Sequence, residues 1–162
     1  AGGMSAAPAQ VAGRGESEIS TDPARLDFAA VHAYLTRSYW SPGISRALVE
    51  RAAAHSLCFG LYRAGEQVGY ARLVTDRSTF AYLCDVYVLE AHRGQGLSKW
   101  LMQTIQAHPE LQHLRRVMLA TRDAHGLYAQ YGFTSLAVPT RMMEILRPDA
   151  HLAAELHDER SQ

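Results

Sequence analysis

The stretch from Thr79 to Ile105 constrains the fold more than any other part of the chain. Thr79 to Leu89 is dense in Phe, Tyr, Val and Leu, the composition of a long central strand. It runs into Arg93-Gly94-Gln95-Gly96, after which Leu97, Trp100, Leu101 and Ile105 recur at the spacing of one helix face. That helix ends near His108-Pro109, because proline cannot continue it. A strand, a glycine turn and a helix in this order collect backbone N–H groups that lack helical partners at the helix start. There they and the helix dipole favour a phosphate. Gly94 and Gly96 have no Cβ and so permit close approach to the backbone. The block contains neither G-x-x-x-x-G-K-[ST] nor G-x-G-x-x-G, so nucleotide hydrolysis and hydride transfer lose their main support. Taken alone it reads equally well as an ordinary glycine turn before a surface helix.

Upstream, Leu57–Tyr62 and Gln67–Thr75 are short apolar runs separated by Arg63-Ala64-Gly65-Glu66, the pattern of a β-hairpin. Two helices are predicted before it. Asp22-Pro23 suits a helix entry, with Leu26, Phe28, Ala29, His32 and Leu35 on one face, and Ile44–Ala54 repeats the pattern with Leu48, Val49 and Ala52. Between them the turn residues of 38–43 carry Tyr39 and Trp40. Downstream, Arg116–Ala120 reads as a buried strand and Asp123–Tyr131 as a short helix closed by Gly132. Phe133–Leu136 and Met142–Leu146 read as two last strands. The first 16 residues are rich in Ala, Gly and Ser without apolar periodicity and are expected to form a disordered tail. Residues 17–147 then form one domain, and 148–162 a polar C-terminal tail. The sum is an α+β fold with a mixed sheet.

A chain of 162 residues with 48% apolar content can fill one core. Lys plus Arg equals Asp plus Glu at 16 each, which leaves no positive field to hold DNA or RNA. The histidines are scattered rather than set at metal-ligand spacing, so no metal is expected. Cys58 and Cys84 lie inside apolar runs, as buried reduced thiols do, and no apolar stretch reaches the roughly 20 residues that span a bilayer. A soluble, cytoplasmic protein with no membrane partner is the expectation.

The segment Val88 to Ser98 resembles the pyrophosphate loop [QR]-x-x-G-x-[GA] of the GNAT superfamily of acyl-CoA-dependent N-acyltransferases. Arg93 and Gly96 match, and Ser98 replaces the last small residue. A second match stands downstream: Ala124-His125-Gly126-Leu127-Tyr128-Ala129-Gln130-Tyr131-Gly132-Phe133 is similar to the family's A-x-x-x-Y-x-x-x-G-F segment. The resemblance covers roughly residues 57–146. It implies a GNAT-like, mostly antiparallel mixed sheet, with acetyl-CoA held by Val86, Val88, Arg93, Gly94, Gln95, Gly96, Leu97, Ser98, Thr121 and Tyr128. Thr121 stands where the family often carries Asn.

Acetyl transfer to an amine needs a base, because an amine with a pKa near 10.4 is mostly protonated at neutral pH. Asp85, the only carboxylate between Thr79 and Leu89, is the candidate, acting directly or through a water. The same residue type would equally serve as a structural acceptor. By resemblance Tyr128 donates a proton to the departing sulfur, and a backbone N–H near Val88 supports the thioester oxygen. Tyr39, Trp40, Tyr82, Arg122 and His125 are the candidate substrate contacts. Trp40 would equally pack the two helices together, and Arg122 would equally pair with Asp123 on the surface. The expected reaction is acetylation of a primary amine of a small molecule, one bearing a carboxylate included, and the chain is compatible with a homodimer. Lysine or N-terminal acetylation of proteins and a non-catalytic acyl-CoA sensor are the competing readings.

Overall fold

A computed structural model describes residues 8–152. The chain divides into two compact units. One holds the residues up to Asp27 together with Ala53–Leu119, and the other holds Phe28–Ala52 together with the residues from Ala120 onward.

The first unit is built on a six-stranded sheet in simple sequence order, β1 (Val11–Arg14), β2 (Ser17–Ser20), β3 (Leu57–Arg63), β4 (Glu66–Thr75), β5 (Phe80–Val88) and β6 (Arg116–Leu119). All neighbours pair antiparallel except β5 and β6, which run parallel. That reversal needs a crossover connection, and the helix that follows the glycines supplies it. We label this helix, Leu97–Ala107, α3; α1 (Phe28–Leu35) and α2 (Arg46–Ala54) precede it in the chain. The apolar face of α3 is Leu97, Leu101, Met102 and Ile105, all buried, and it packs on β3 and β5. Phe59, Leu61, Val68, Tyr70, Ala71 and Leu73 fill the middle of the β3–β4 hairpin with almost no exposure. These near-continuous, buried apolar runs put it at the centre of the core. The hairpin turn is tighter than the sequence suggests: Arg63 pairs with Glu66, leaving only Ala64 and Gly65 at the tip, both with positive φ.

Two expectations are overturned. Val11–Arg14 lies inside the stretch 1–16 predicted to be a tail, yet it forms β1 in register with β2. Its residues are mainly exposed, so backbone ladder bonds at a sheet edge hold it rather than apolar burial, and composition does not report those bonds. Residues 1–7 lie outside the described residues. The two predicted final strands, Phe133–Leu136 and Met142–Leu146, are also absent: neither pairs with a strand among the described residues, and Met143 and Ile145 are 95% and 82% exposed. Apolar composition alone does not make a strand where no ladder partner is provided.

The second unit contains α1, the Tyr39–Trp40 loop, the start of α2, and α4 (His125–Ala129). The loop has a fixed shape. The buried Ser38 hydroxyl donates to the Leu35 carbonyl at 2.7 Å and accepts from the Ser41 N–H at 3.1 Å, and the Gly43 N–H reaches the Thr36 carbonyl at 2.9 Å. Near the chain's described end, His151 Nε2 lies 2.7 Å from the Pro42 carbonyl oxygen. The predicted polar tail lies outside the described residues from 153 on.

Candidate active site

On the sheet unit, the candidate residues follow one another along β5, the turn after it, and the start of α3. β5 does not run evenly. Tyr70 pairs with Tyr87 and Arg72 with Cys84, so Asp85 and Val86 together face the single residue Ala71. This is a β-bulge, and Asp85 adopts φ +55°, a conformation uncommon outside glycine. Its carboxylate is only 11% exposed and accepts a hydrogen bond from Arg72 Nε at 2.8 Å. Arg72 also donates to Ser56 Oγ at 3.1 Å. Burial pulls the Arg72 guanidinium toward deprotonation, but Asp85 together with Cys84 and Tyr70 outweighs it, and the group is held above its ordinary value. Asp85 therefore has a structural partner, as one of its two sequence readings requires, but the partner is an arginine that sequence reasoning missed. The available signal was a charged residue inside the apolar run Tyr70-Ala71-Arg72-Leu73-Val74.

Beyond Val88 the chain turns through Glu90–His92, and Arg93 Nε donates back to the Val88 carbonyl at 3.0 Å. Arg93 thus braces the turn. Gly94 and Gly96 both take left-handed conformations, φ +80° and +76°, and Gly96 directly precedes α3 without any side-chain cap. A Cβ built on either would meet nothing within 4 Å, so their freedom serves backbone direction rather than crowding. The first bond of the helix runs from the Trp100 N–H to the Gly96 carbonyl. The N–H groups of Leu97, Ser98 and Lys99 precede it and have no helical acceptor, and Gln95, Gly96 and Ser98 around them are exposed. An anion is the natural partner for this cradle. Tyr82, half-buried on β5, has its phenol raised by burial, with Cys84 and Asp85 adding to the effect.

On the second unit, a different set converges. The Arg122 guanidinium lies 3.9 Å over the Tyr39 ring, Tyr39 meets Trp40 edge-on at 5.1 Å, and Trp40 lies 6.3 Å from Tyr34. Tyr39 and Trp40 keep 52% and 37% of their surface exposed, so neither is buried. Arg122 also reaches Asp123, at a long 3.6 Å between exposed groups, a contact of small energy. Tyr128, on α4, packs edge-on against Phe133 at 6.0 Å. Burial and then the neighbouring Tyr39 raise its phenol, which keeps its proton at neutral pH. Thr121 acts locally, because its hydroxyl accepts from the Ala124 N–H at 3.0 Å and shapes the entry to α4. His125 is exposed at the start of α4.

The acetyltransferase (GNAT) family model matches residues 30–133, a span that includes the bulged strand, the glycine turn and the tyrosine helix. The chain belongs to this family. A protein assigned as an acetyltransferase in Gibberella zeae is 37% identical over 138 residues, spanning 72% of this chain and 78% of that one. A GNAT-family protein of Xanthomonas campestris, known from a crystal structure, is 51% identical with a TM-score of 0.81, covering 83% of this chain and 96% of the other. The Arabidopsis thaliana glucosamine-6-phosphate N-acetyltransferase shares the fold at 12% identity, with a TM-score of 0.56 over 81% of this chain and 99% of its own. Among the described residues of this acetyltransferase, no helix is long and apolar enough to cross a membrane.

Proposed function

We propose that the protein transfers the acetyl group of acetyl-CoA to a primary amine of a small molecule. The observation that carries this reading is the exposed cradle at the start of α3, where Gly94 and Gly96 turn left-handed and no side chain caps the helix N-terminus. The cradle fits a pyrophosphate: the two glycines leave open space, and the N–H groups of Leu97, Ser98 and Lys99 supply the donors. When bound, acetyl-CoA supplies a thioester whose carbonyl carbon is the electrophile.

The chain's own residues then divide the work. Asp85 takes the proton of the incoming ammonium, directly or through a water, so that the amine lone pair can attack the carbonyl carbon. A backbone N–H near Val88 donates to the carbonyl oxygen as charge collects there. As the thioester is cleaved, Tyr128, whose buried phenol is protonated at neutral pH, would give its proton to the departing sulfur, and the second proton that the nitrogen sheds on becoming an amide would restore the phenol. Arg122, stacked on Tyr39 beside Trp40, supplies a cation that would pair with a carboxylate on the acceptor amine. The compartment we assign is the cytoplasm, in keeping with Cys58 and Cys84, both unpaired thiols.

Coenzyme A release is the test. The purified chain with acetyl-CoA and a panel of small amines, with and without carboxylates, should release coenzyme A and form the N-acetyl product. Transfer only to a lysine peptide or a protein N-terminus would move the acceptor to the protein class, and tight acetyl-CoA binding without transfer to anything would make the chain a sensor.

A further inference from the structure

We propose that Arg72 is a positioning residue for the reaction, setting the direction of the Asp85 carboxylate at the bulge of β5. The inference rests on the reading of Asp85 as the base. At φ +55° a glycine would sit without strain, yet the chain places aspartate there, in the middle of a strand. An uncommon conformation persists only when its surroundings over-determine it. Among those surroundings is one side chain with two anchors: Arg72 Nε bonds Asp85 Oδ2 at 2.8 Å while its Nη1 bonds Ser56 Oγ at 3.1 Å. The guanidinium is planar, so fixing two of its nitrogens fixes the plane and with it the direction from which the carboxylate is approached.

The register explains why Arg72 is in reach. Its cross-strand partner is Cys84, and the bulge follows at once, so the extra residue turns the Asp85 side chain back toward the arginine. Both side chains are mostly covered, at 18% and 11% exposure, which shields the pair from solvent screening. The other titratable groups that act on this pair are Cys58 on β3, Tyr70 on β4, and Tyr82 and Cys84 on β5. Burial keeps all four protonated near neutral pH, so the charged groups left around them are Arg72, Asp85 and, acting on Cys58, Arg77.

The experiment compares Arg72→Lys, Asp85→Asn, Asp85→Gly and the Arg72→Lys/Asp85→Asn double variant. It measures thermal melting, acetyl-CoA affinity by calorimetry, and kcat against pH with an amine from the panel that supports turnover. Lysine keeps the charge and loses the fork, so kcat should fall roughly tenfold with acetyl-CoA affinity unchanged, and the acidic limb of the pH profile should move. Asp85→Gly suits the backbone and should fold as well as Asp85→Asn while being equally slow. The double variant should be no slower than Asp85→Asn, because Arg72 acts only through the carboxylate. Losses that multiply in the double variant, or an Arg72→Lys enzyme with native kcat and pH profile, would overturn the positioning role while leaving the base assignment standing. Native turnover in Asp85→Asn would remove the base assignment and the positioning role with it.

Discussion

Gly96→Ala tests the cradle with the smallest possible change. Gly96 sits at φ +76° and ψ +9°, and an added methyl meets no heavy atom within 4 Å. The substitution therefore introduces no clash, and its whole effect is conformational. An L-residue held left-handed costs about 1–2 kcal/mol. The stiffer unfolded chain returns about 0.4–1 kcal/mol of this, so the net penalty is about 1 kcal/mol. In a chain of this size that lowers Tm by about 2–4 °C if the turn keeps its shape. If the turn relaxes instead, Tm holds but the N–H groups lose their direction, and the same 1 kcal/mol appears as an affinity for coenzyme A about fivefold weaker. Gly96→Asn is the control, since asparagine tolerates the left-handed region and should lose less on either measure. Thermal melts paired with isothermal calorimetry read both quantities. Native Tm and native affinity in Gly96→Ala would refute the claim that the left-handed turn builds the pyrophosphate site.

Tyr128→Phe keeps the ring that packs on Phe133 and removes only the hydroxyl, so melting and cofactor binding should change little. Acetyl transfer in a single turnover should slow by about 10²–10⁴-fold, and a rate within about twofold of native would return Tyr128 to a packing role. Arg122→Ala should raise KM about tenfold for amines bearing a carboxylate and leave neutral amines nearly unaffected; an equal change for both classes would contradict the recognition role. Stability should also decline in alkali. Burial pushes the Cys84 thiol from 9.0 up to about 11 and the Tyr62 phenol from 10.0 up to about 12. The folded chain keeps these protons at pH values where the unfolded chain has released them, so the stability they contribute is fully present below about pH 9 and is lost as pH rises toward 12. Urea melts at stepped pH measure this, and a midpoint that holds steady to pH 12 would contradict it.

What the residues determined by themselves are the features that follow local rules. Apolar spacing places α3 and its buried face, proline ends it, the paired runs of 57–75 make the hairpin, and Gly94 and Gly96 mark the turn where backbone donors meet a helix start. Each depends on neighbours a few positions away, and each is legible without knowing what lies across the sheet. Pairing over longer distances was not legible. β1 exists because β2 offers a ladder, whereas Met142–Leu146 has strand-like composition and no partner among the described residues, so sheet membership was decided by the fold. The same holds for the chemistry. Asp85 could be singled out as a lone carboxylate in an apolar strand, but its left-handed backbone and its bond to Arg72 arise from the register of β4 against β5. Arg122 and Tyr39 likewise meet only because the folded chain stacks a guanidinium on a ring far away in sequence. A local pattern reports which element forms, because one chain segment contains all its hydrogen-bond partners. A contact between segments is set by register and packing, and only the tertiary structure specifies those.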